Sequence, residues 1–314
     1  MSDLFQSTIV ISILAATIRI ATPLLLAALG ELITERAGIL NLGVEGGMLM
    51  SAFMGFYATY ASDSLWIGLL AAMVTGALLN LIMVFMAATL KVEQVVTGLA
   101  LNMLASGLSL YMYKLAFSDA KSKIPTISIF QNVEIPWLSQ IPYLGEIFFT
   151  QKLLTYVAFI LVPVVWFFLY RTKFGLEIRC LGENPKVIDT KGLSVTMRQY
   201  AALLLGGALI GMGGAFVTIC STVRFIPDIT AGRGWLALVI VIAGNWRPMG
   251  LMIAALIFAF LDAFQLQVQG IGVQLPYQLL LALPYVVAIL LMVFKRGTSE
   301  EPKRLSVPYF RGER

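Results

Sequence analysis

Long apolar runs constrain the fold of this chain more than any other feature of its sequence. They lie at about residues 8–30, 38–60, 65–90, 95–117, 153–170, 200–222, 235–265 and 276–294. A helix needs about 20 apolar residues to cross a hydrocarbon core of about 30 Å. The runs therefore predict an all-α fold, a polytopic transmembrane helical bundle with about 8–10 spans, one or two of them discontinuous.

The composition is typical of a membrane protein. Hydrophobic residues make up 59% of the 314 residues and charged residues only 12%, whereas soluble domains have roughly 45–50% and about 25%. The longest polar stretches are too short for a soluble domain. We therefore expect residues 1–314 to form a single transmembrane domain, with membrane lipid around it.

Several function classes are excluded by residues that the sequence lacks. It has no histidine, which excludes Ser-His and Cys-His nucleophiles and His-bound metals. It has no G-x-x-x-x-G-K-[ST] motif, so any ATP energy must come from another subunit. We expect a transport function without enzyme activity, with no catalytic residue, no cofactor and no metal in this chain, and no nucleic acid as partner.

The distribution of cations predicts the orientation. The loop 171–199 and the tail 295–314 each contain six of the 22 Lys and Arg residues, so both are expected in the cytoplasm. The loop 118–152 contains three, and its prolines favour a structured cap outside the cell. Three apolar runs separate the two cytoplasmic segments, so one run must be split. The run 235–265, interrupted by Gly-Asn-Trp-Arg-Pro at 244–248, is the candidate, which gives nine crossings and an N-terminus outside.

The stretch 30–50 combines charged residues with clustered glycines between two apolar runs. Asn41 and Glu45 stand beside Gly43, Gly46 and Gly47. A discontinuous helix whose freed backbone groups line a solute path would explain this pattern. A short turn outside the membrane, with Glu45 reaching the interface, explains it equally well.

The loop 171–199 contains the signals of a short helix over residues 185–191. Asn184 is a favoured N-cap, Pro185 suits the first helical position, and Gly192 can take the left-handed position after the last turn. Such a helix can seat in a groove of a cytoplasmic partner. A solvated connector remains an equally good interpretation.

Other polar residues within the apolar runs are candidates for a solute path. Asp262 is the strongest, because a carboxylate in LIFAFLDAFQL needs a partner, a cavity or a proton. A single Asn or Gln more often forms an interhelical hydrogen bond. The complete set of path candidates comprises Asn41, Glu45, Asn80, Gln94, Asn102, Asn245, Trp246, Asp262 and Gln265. The glycines of the run 200–222 are interpreted as close helix packing.

Three motifs resemble one protein family. GELITERAGILNLGVEGG, GLEIRCLGENPKVIDTKGLSV and GNWRPMG are similar to the permease subunits of bacterial ABC importers in the ribose and branched-chain amino acid permease superfamily. The chain most resembles the shorter permease of purine nucleoside (guanosine-type) importers. The resemblance implies import across the bacterial cytoplasmic membrane. It also implies that Asn41–Gly47 belong to a broken second helix.

The resemblance further implies three protein partners. They are an ABC ATPase with two fused nucleotide-binding halves, which uses ATP and Mg²⁺, a second, longer permease, and an extracytoplasmic solute-binding lipoprotein. The loop helix corresponds to the coupling helix that docks into the ATPase. Its residues are Gly182, Glu183, Asn184, Pro185, Lys186, Asp189, Lys191 and Gly192.

Two alternatives stay open on the residues alone. The superfamily also carries simple sugars, so ribose or galactose could replace the nucleoside. A stand-alone secondary transporter, coupled to protons or sodium through Asp262 or Glu45, would need no ATPase. A membrane enzyme is disfavoured because nothing in the sequence pairs a nucleophile with a base.

Overall fold

The fold was obtained as a computed structural model that describes residues 7–118, 125–136, 139, 141–270, 282, 284, 286–290, 293 and 300–311. The helices of this part are α1 (Ser7–Arg36), α2 (Val44–Ser62), α3 (Leu65–Val84), α4 (Gln94–Ala116), α5 (Leu144–Phe148), α6 (Leu153–Arg171), α7 (Lys173–Glu183), α8 (Lys186–Thr190), α9 (Val195–Ala215), α10 (Arg233–Ala243) and α11 (Pro248–Gly270). Single π-helical turns extend α3 over Phe85–Thr89 and α9 over Phe216–Cys220. The expected all-α membrane fold is confirmed.

Six of these helices are long and apolar enough to cross a membrane. They cover Ile9–Arg36, Leu65–Thr89, Gln94–Ala116, Leu153–Arg171, Val195–Cys220 and Pro248–Gln269. Helix α10, with 11 residues, is only about 16 Å long at 1.5 Å per residue, which is too short to span alone. The last apolar run, 276–294, lies largely outside the described residues; 282, 284, 286–290 and 293 are helical.

The bundle has two distinct ends. At one, called the α8 end, lie α7, α8, the turn 244–247 and the tail segment 300–311. At the other, called the hairpin end, β1 (Asn132–Glu134) pairs antiparallel with β2 (Thr150–Lys152). The ammonium of Lys152 donates to the Phe130 carbonyl at 2.5 Å, and the Phe130 amide donates to the Ile219 carbonyl. The expected structured cap is therefore present in the described part of loop 118–152.

Helix α9 packs at the centre of the bundle through its glycines. A Cβ added at Gly206 would lie 2.6 Å from the Gly30 carbonyl oxygen of α1. A Cβ added at Gly207 would lie 2.5 Å from the Gly76 carbonyl oxygen of α3. Backbones approach this closely only where small residues face each other, which confirms the packing role expected for this run.

The run 235–265 is split where the sequence predicts. Helix α10 ends at Ala243, and α11 begins at Pro248. Asn245 and Trp246 both adopt positive φ angles, +57° and +52°, so the chain reverses direction between the two helices. The first residue of a helix has no intrahelical acceptor for its N–H group, so proline is favoured there, and Pro248 begins α11.

The loop 171–199 contains more helix than the sequence predicts. Helix α7 was not expected, and α9 begins at Val195, about five residues before the apolar run. The Thr172 hydroxyl accepts from the Gly175 amide, and the Ser194 hydroxyl accepts from the Met197 amide. These N-caps start helices in sequence that is not strongly apolar, so a search for apolar runs misses them.

Candidate functional site

The connection between α1 and α2 lies inside the bundle. Helix α1 ends at Arg36, Gly38 adopts a φ of +84°, and α2 begins at Val44. Ala37, Asn41 and Val44 are at most 1% exposed. These residues are therefore buried within the bundle, and the non-helical stretch 37–43, which joins α1 to α2, is called the break.

Side chains from two helices satisfy the backbone of this break. The Asn41 amide donates to Glu31 Oε1 of α1 at 3.1 Å, and the Leu40 amide donates to Gln94 Oε1 of α4 at 2.8 Å. Asn102 of α4 donates to the Leu42 carbonyl and accepts from the Gly46 amide, both at 2.7 Å. Unpaired backbone groups in lipid would each cost several kcal/mol, so these side chains make the break possible.

Asn41 and Asn80 link the break to the glycine-packed helices. Asn41 Nδ2 donates to Asn80 Oδ1 at 3.0 Å, and Asn80 Nδ2 donates to the Leu203 carbonyl of α9 at 3.0 Å. Asn41, Asn80 and Gln94 are at most 4% exposed. Asn80 thus joins two helices, which is the role that the sequence favours for single Asn and Gln residues, whereas Gln94 bonds the backbone of the break and Asn41 lies within it.

The Glu45 carboxylate holds the start of α2 against the start of α10. It accepts from the Thr230 hydroxyl at 2.5 Å and from the amides of Gly232 and Gly234 at 3.0 and 2.6 Å. The partial positive charge of the α10 N-terminus stabilises a carboxylate at this position. Since α10 is about 16 Å long and ends at the α8 end, this junction lies about 16 Å from that end.

The turn 244–247 is hydrogen-bonded to the end of α1 and to the tail at the α8 end. The Trp246 indole donates to the Glu35 carboxylate, and the Arg36 guanidinium donates to the Trp246 carbonyl at 2.7 Å. The Asn245 side chain accepts from the Glu300 amide at 2.7 Å. Trp246 is 4% exposed, so the structure gives it a packing role in this conformation.

Asp262 and Gln265 lie farther along α11. Asp262 is half-buried and interacts electrostatically with Arg233 of α10. Gln265 is buried, and its Oε1 has no hydrogen-bond partner among the described residues. Arg233 stands between Gly232 and Gly234, whose amides bind Glu45, so Asp262 interacts with the start of α10 beside the Glu45 junction.

A cavity of about 640 Å³ opens between α1, α9, α10 and the hairpin, and the sequence analysis did not predict it. Its lining carries the cations Arg19, Lys152 and Arg233 beside Phe216 and Thr222. The sequence feature that could have indicated this cavity is Arg19, a cation within the first apolar run, which is exposed in the structure. The cavity can accept a polar or carbonyl-bearing solute, since guanidinium and ammonium groups are hydrogen-bond donors only.

Helix α8 forms as the capping signals predict, though it is slightly shorter. It covers Lys186–Thr190, the Asn184 side chain accepts from the Lys186 amide, and Gly192 adopts a φ of +75°. Ile188 is buried against the bundle, whereas Val187 is 39% exposed. A short helix is thus fixed to the bundle on one side and open on the other.

The chain matches a family described as the permease component of branched-chain amino acid transport systems, over residues 13–294. It belongs to this family. The permease is 36% identical to the guanosine ABC transporter permease protein NupQ of Bacillus subtilis, over 96% of this chain and 97% of the relative. It is 32% identical to the nucleoside ABC transporter permease protein NupC of Lactococcus lactis subsp. cremoris, over 93% and 95%.

A sugar-related protein is also similar to this permease. A protein of Haloferax volcanii named as a glucose ABC transporter permease is 39% identical over 84% of this chain and 79% of its own length. Among solved structures, an inward-facing ABC transporter described as of metal-chelate type aligns with a TM-score of 0.50 and 18% identity, covering 93% of this chain and 88% of that one. This likeness concerns the fold alone.

Proposed function

We propose that this permease is the membrane-spanning subunit of an ATP-binding cassette importer for a purine nucleoside such as guanosine. The observation that carries the proposal is the similarity to a guanosine permease along nearly the full length of both chains. A simple sugar is the second candidate, since the glucose-related protein has the higher identity over a shorter stretch. The family match favours an ATP-driven importer over a gradient-driven transporter.

Helix α8 is the proposed point at which the ATPase acts. The exposed Val187 and the polar Lys186 and Lys191 would enter a groove of that subunit, which binds ATP and Mg²⁺. Hydrolysis there would move α8 and, through α7, the end of α1, because a Cβ at Gly182 would already contact the Arg36 carbonyl oxygen. This permease itself would have no enzyme activity.

A second, longer permease is proposed as the other half of the transport path. B. subtilis and L. lactis each have a second relative of this chain, named NupP and NupB, and the matched regions cover only 69% and 70% of those proteins. Those second permeases are therefore longer. An external solute-binding lipoprotein would deliver the nucleoside at the hairpin end, and the membrane would be the bacterial cytoplasmic membrane.

The solute path is proposed to follow the partly exposed polar residues. Glu45 and Asn102 at the break, and Asp262 on α11, are not fully buried. The hydrogen bonds of Asn41, Asn80 and Gln94 support a structural role for them. Asn245, Trp246 and Gln265 remain path candidates for conformations in which the α8 end opens.

Replacing one exposed valine tests the docking role of α8. Val187→Asp should reduce co-purification of the ATPase by about tenfold or more, since an unpaired charge would enter an apolar contact. Val223→Asp is the matched control. Val223 is similarly exposed, at 45%, and it follows the end of α9 that lies away from α8. Equal ATPase recovery with both variants would contradict the docking role.

Uptake measurements test the substrate. Proteoliposomes that contain this permease, the longer permease and the ATPase, supplied with the binding lipoprotein, should accumulate labelled guanosine only with ATP inside. Replacing Gly182–Gly192 by a Gly/Ser linker should abolish that uptake. Accumulation of glucose in preference to guanosine would overturn the nucleoside assignment and leave the importer assignment standing.

A further inference from the structure

The tail segment 300–311 runs along the α8 end and does not extend away from it. The Arg304 amide donates to the Gly182 carbonyl at 2.8 Å, and the Ser306 amide donates to the Gly38 carbonyl at 3.2 Å. Pro302 is buried, and a Cβ added at Gly182 would lie 2.9 Å from the Pro302 Cβ. The tail therefore crosses the end of α7 and the break at 37–43 before it reaches α8.

The last described residues of the tail pack beside α8. The Tyr309 hydroxyl donates to Asp189 Oδ2 at 3.1 Å, and the Arg311 guanidinium pairs with the same oxygen at 3.3 Å. The Lys91 ammonium lies 3.7 Å from the centre of the Phe310 ring. Helix α8 and the tail thus form one continuous surface, called the composite surface (residues 186–192 and 303–311).

The exposed side chains of the composite surface are apolar and basic. Val187, Val307 and Phe310 are 39%, 44% and 40% exposed. The exposed cations are Lys186, Lys191, Lys303, Arg304 and Arg311, the last of which is paired with Asp189. Within the described part of this end, the exposed carboxylates Glu183 and Glu301 flank these cations, Asp189 is paired with Arg311, and Glu300 is paired with Arg247. Large exposed apolar side chains with a polar rim are typical of a protein contact, and here the rim is mostly basic.

We propose that the tail residues 303–311 form, together with α8, a composite docking surface for the ATPase subunit. The face that it fits has an apolar centre for Val307 and Phe310 and an acidic rim for the surrounding cations. Continuity with α8 and this charge pattern identify the ATPase as the occupant, so the inference rests on the proposed function. The pairing of Asp189 with Tyr309 and Arg311 holds both parts of the surface in one register.

Site-specific photo-crosslinking in the assembled transporter tests the inference. Benzophenone side chains are introduced as p-benzoylphenylalanine at Phe310, at Val187 and, as matched control, at Phe148, which is 50% exposed at the hairpin end. Irradiation should give an adduct with the ATPase from positions 187 and 310 and none from 148. A chain ending at Lys303 should retain about a tenth or less of the co-purified ATPase, whereas Lys114→Gln at the opposite end should retain all of it.

The outcomes separate this inference from the proposed function. An ATPase adduct from position 187 without one from 310, together with full ATPase recovery by the shortened chain, overturns the composite surface and leaves the docking role of α8 intact. Lipid adducts at position 310 overturn it too, since the basic and aromatic side chains would then face anionic headgroups. Absence of an ATPase adduct from both positions contradicts the proposed function itself.

Discussion

At the scale of single residues, the Glu45 carboxylate determines how two helix starts meet. Three donors converge on it, two of them backbone amides at the N-terminus of α10. Glu45→Ala would leave those amides unpaired inside the bundle, at a cost of about 1–3 kcal/mol each. We expect this variant to lose at least about 2 kcal/mol of stability, measured as a lower unfolding temperature in detergent.

The matched control is another glutamate that caps a helix. Glu93 accepts from the Val95 and Val96 amides at the start of α4, where it is exposed. Glu93→Ala should cost only about 1 kcal/mol, because water can replace the lost acceptor. Equal destabilisation of the two variants would contradict the argument that the loss of Glu45 costs more because its donors lie inside the bundle.

At the scale of elements, the approach of α3 to α9 depends on the absence of a side chain at Gly207. Gly207→Ala would place its Cβ against the Gly76 carbonyl and the Asn80 Cβ, so the helices must separate. Overpacking of this kind costs about 1–3 kcal/mol. In α4, Gly107 has no atom within 4 Å of an added Cβ, so Gly107→Ala should stabilise by up to about 1 kcal/mol. Thermal unfolding of the two alanine variants should shift in opposite directions, and a common direction would refute the packing argument.

The tail contact at the α8 end has a defined pH dependence. The hydrogen bond from Arg247 holds the pKa of Glu300 below its usual range, and the charges of Arg247 and Arg36 act in the same direction. Because the pKa is lowered in the folded chain, the contact is fully present above the ordinary glutamate pKa of about 4.3 and is lost as the pH falls through the lowered value. The measurement uses a chain in which Cys180 and Cys220 are replaced by serine and spin labels are attached at Lys303→Cys and Met249→Cys. The distance between the two labels should stay constant from pH 8 to pH 5 and should change below about pH 4. In the Glu300→Gln variant, the distance between the labels should be changed already at pH 7. An unchanged distance in that variant would contradict the assignment of the pH dependence to Glu300.

Elements whose causes are local were predictable, and contacts between distant segments were not. Pro248 after a glycine and an asparagine marks the split of a long apolar run, and Asn184 with Gly192 marks the ends of α8, because helix starts and stops are set within a few residues. The partners of Glu45 lie 185 to 189 residues away, and only the packed bundle brings them together. The sequence predicted only that the tail is basic. The tail packs against the bundle through the backbone amides of Arg304 and Ser306, and any residue type other than proline could supply such amides.

At the scale of the whole molecule, the cations are concentrated at one end of the bundle. The described cations of α6 to α9 and of the tail, from Arg171 to Arg198 and from Lys303 to Arg311, lie at the α8 end, while Lys114, Lys152 and Arg224 lie toward the hairpin end. Short cationic loops stay in the cytoplasm. The α8 end is therefore expected inside the cell and the start of α1 outside, since α1 is about 45 Å long and its last residue, Arg36, lies at the α8 end.

Labelling of single cysteines in intact cells checks this orientation. In the chain with Cys180 and Cys220 replaced by serine, Ser62→Cys should react with a membrane-impermeant maleimide added outside, because Ser62 is exposed where α2 ends at the hairpin end. Thr190→Cys on α8 should react only after permeabilisation, since Thr190 is exposed at the opposite end. Labelling of Thr190→Cys from outside would invert the orientation and place α8 where no ATP-hydrolysing subunit could reach it. The import mechanism and the composite docking surface would then both fail, whereas the glycine packing and the Glu45 junction, which do not depend on sidedness, would stand.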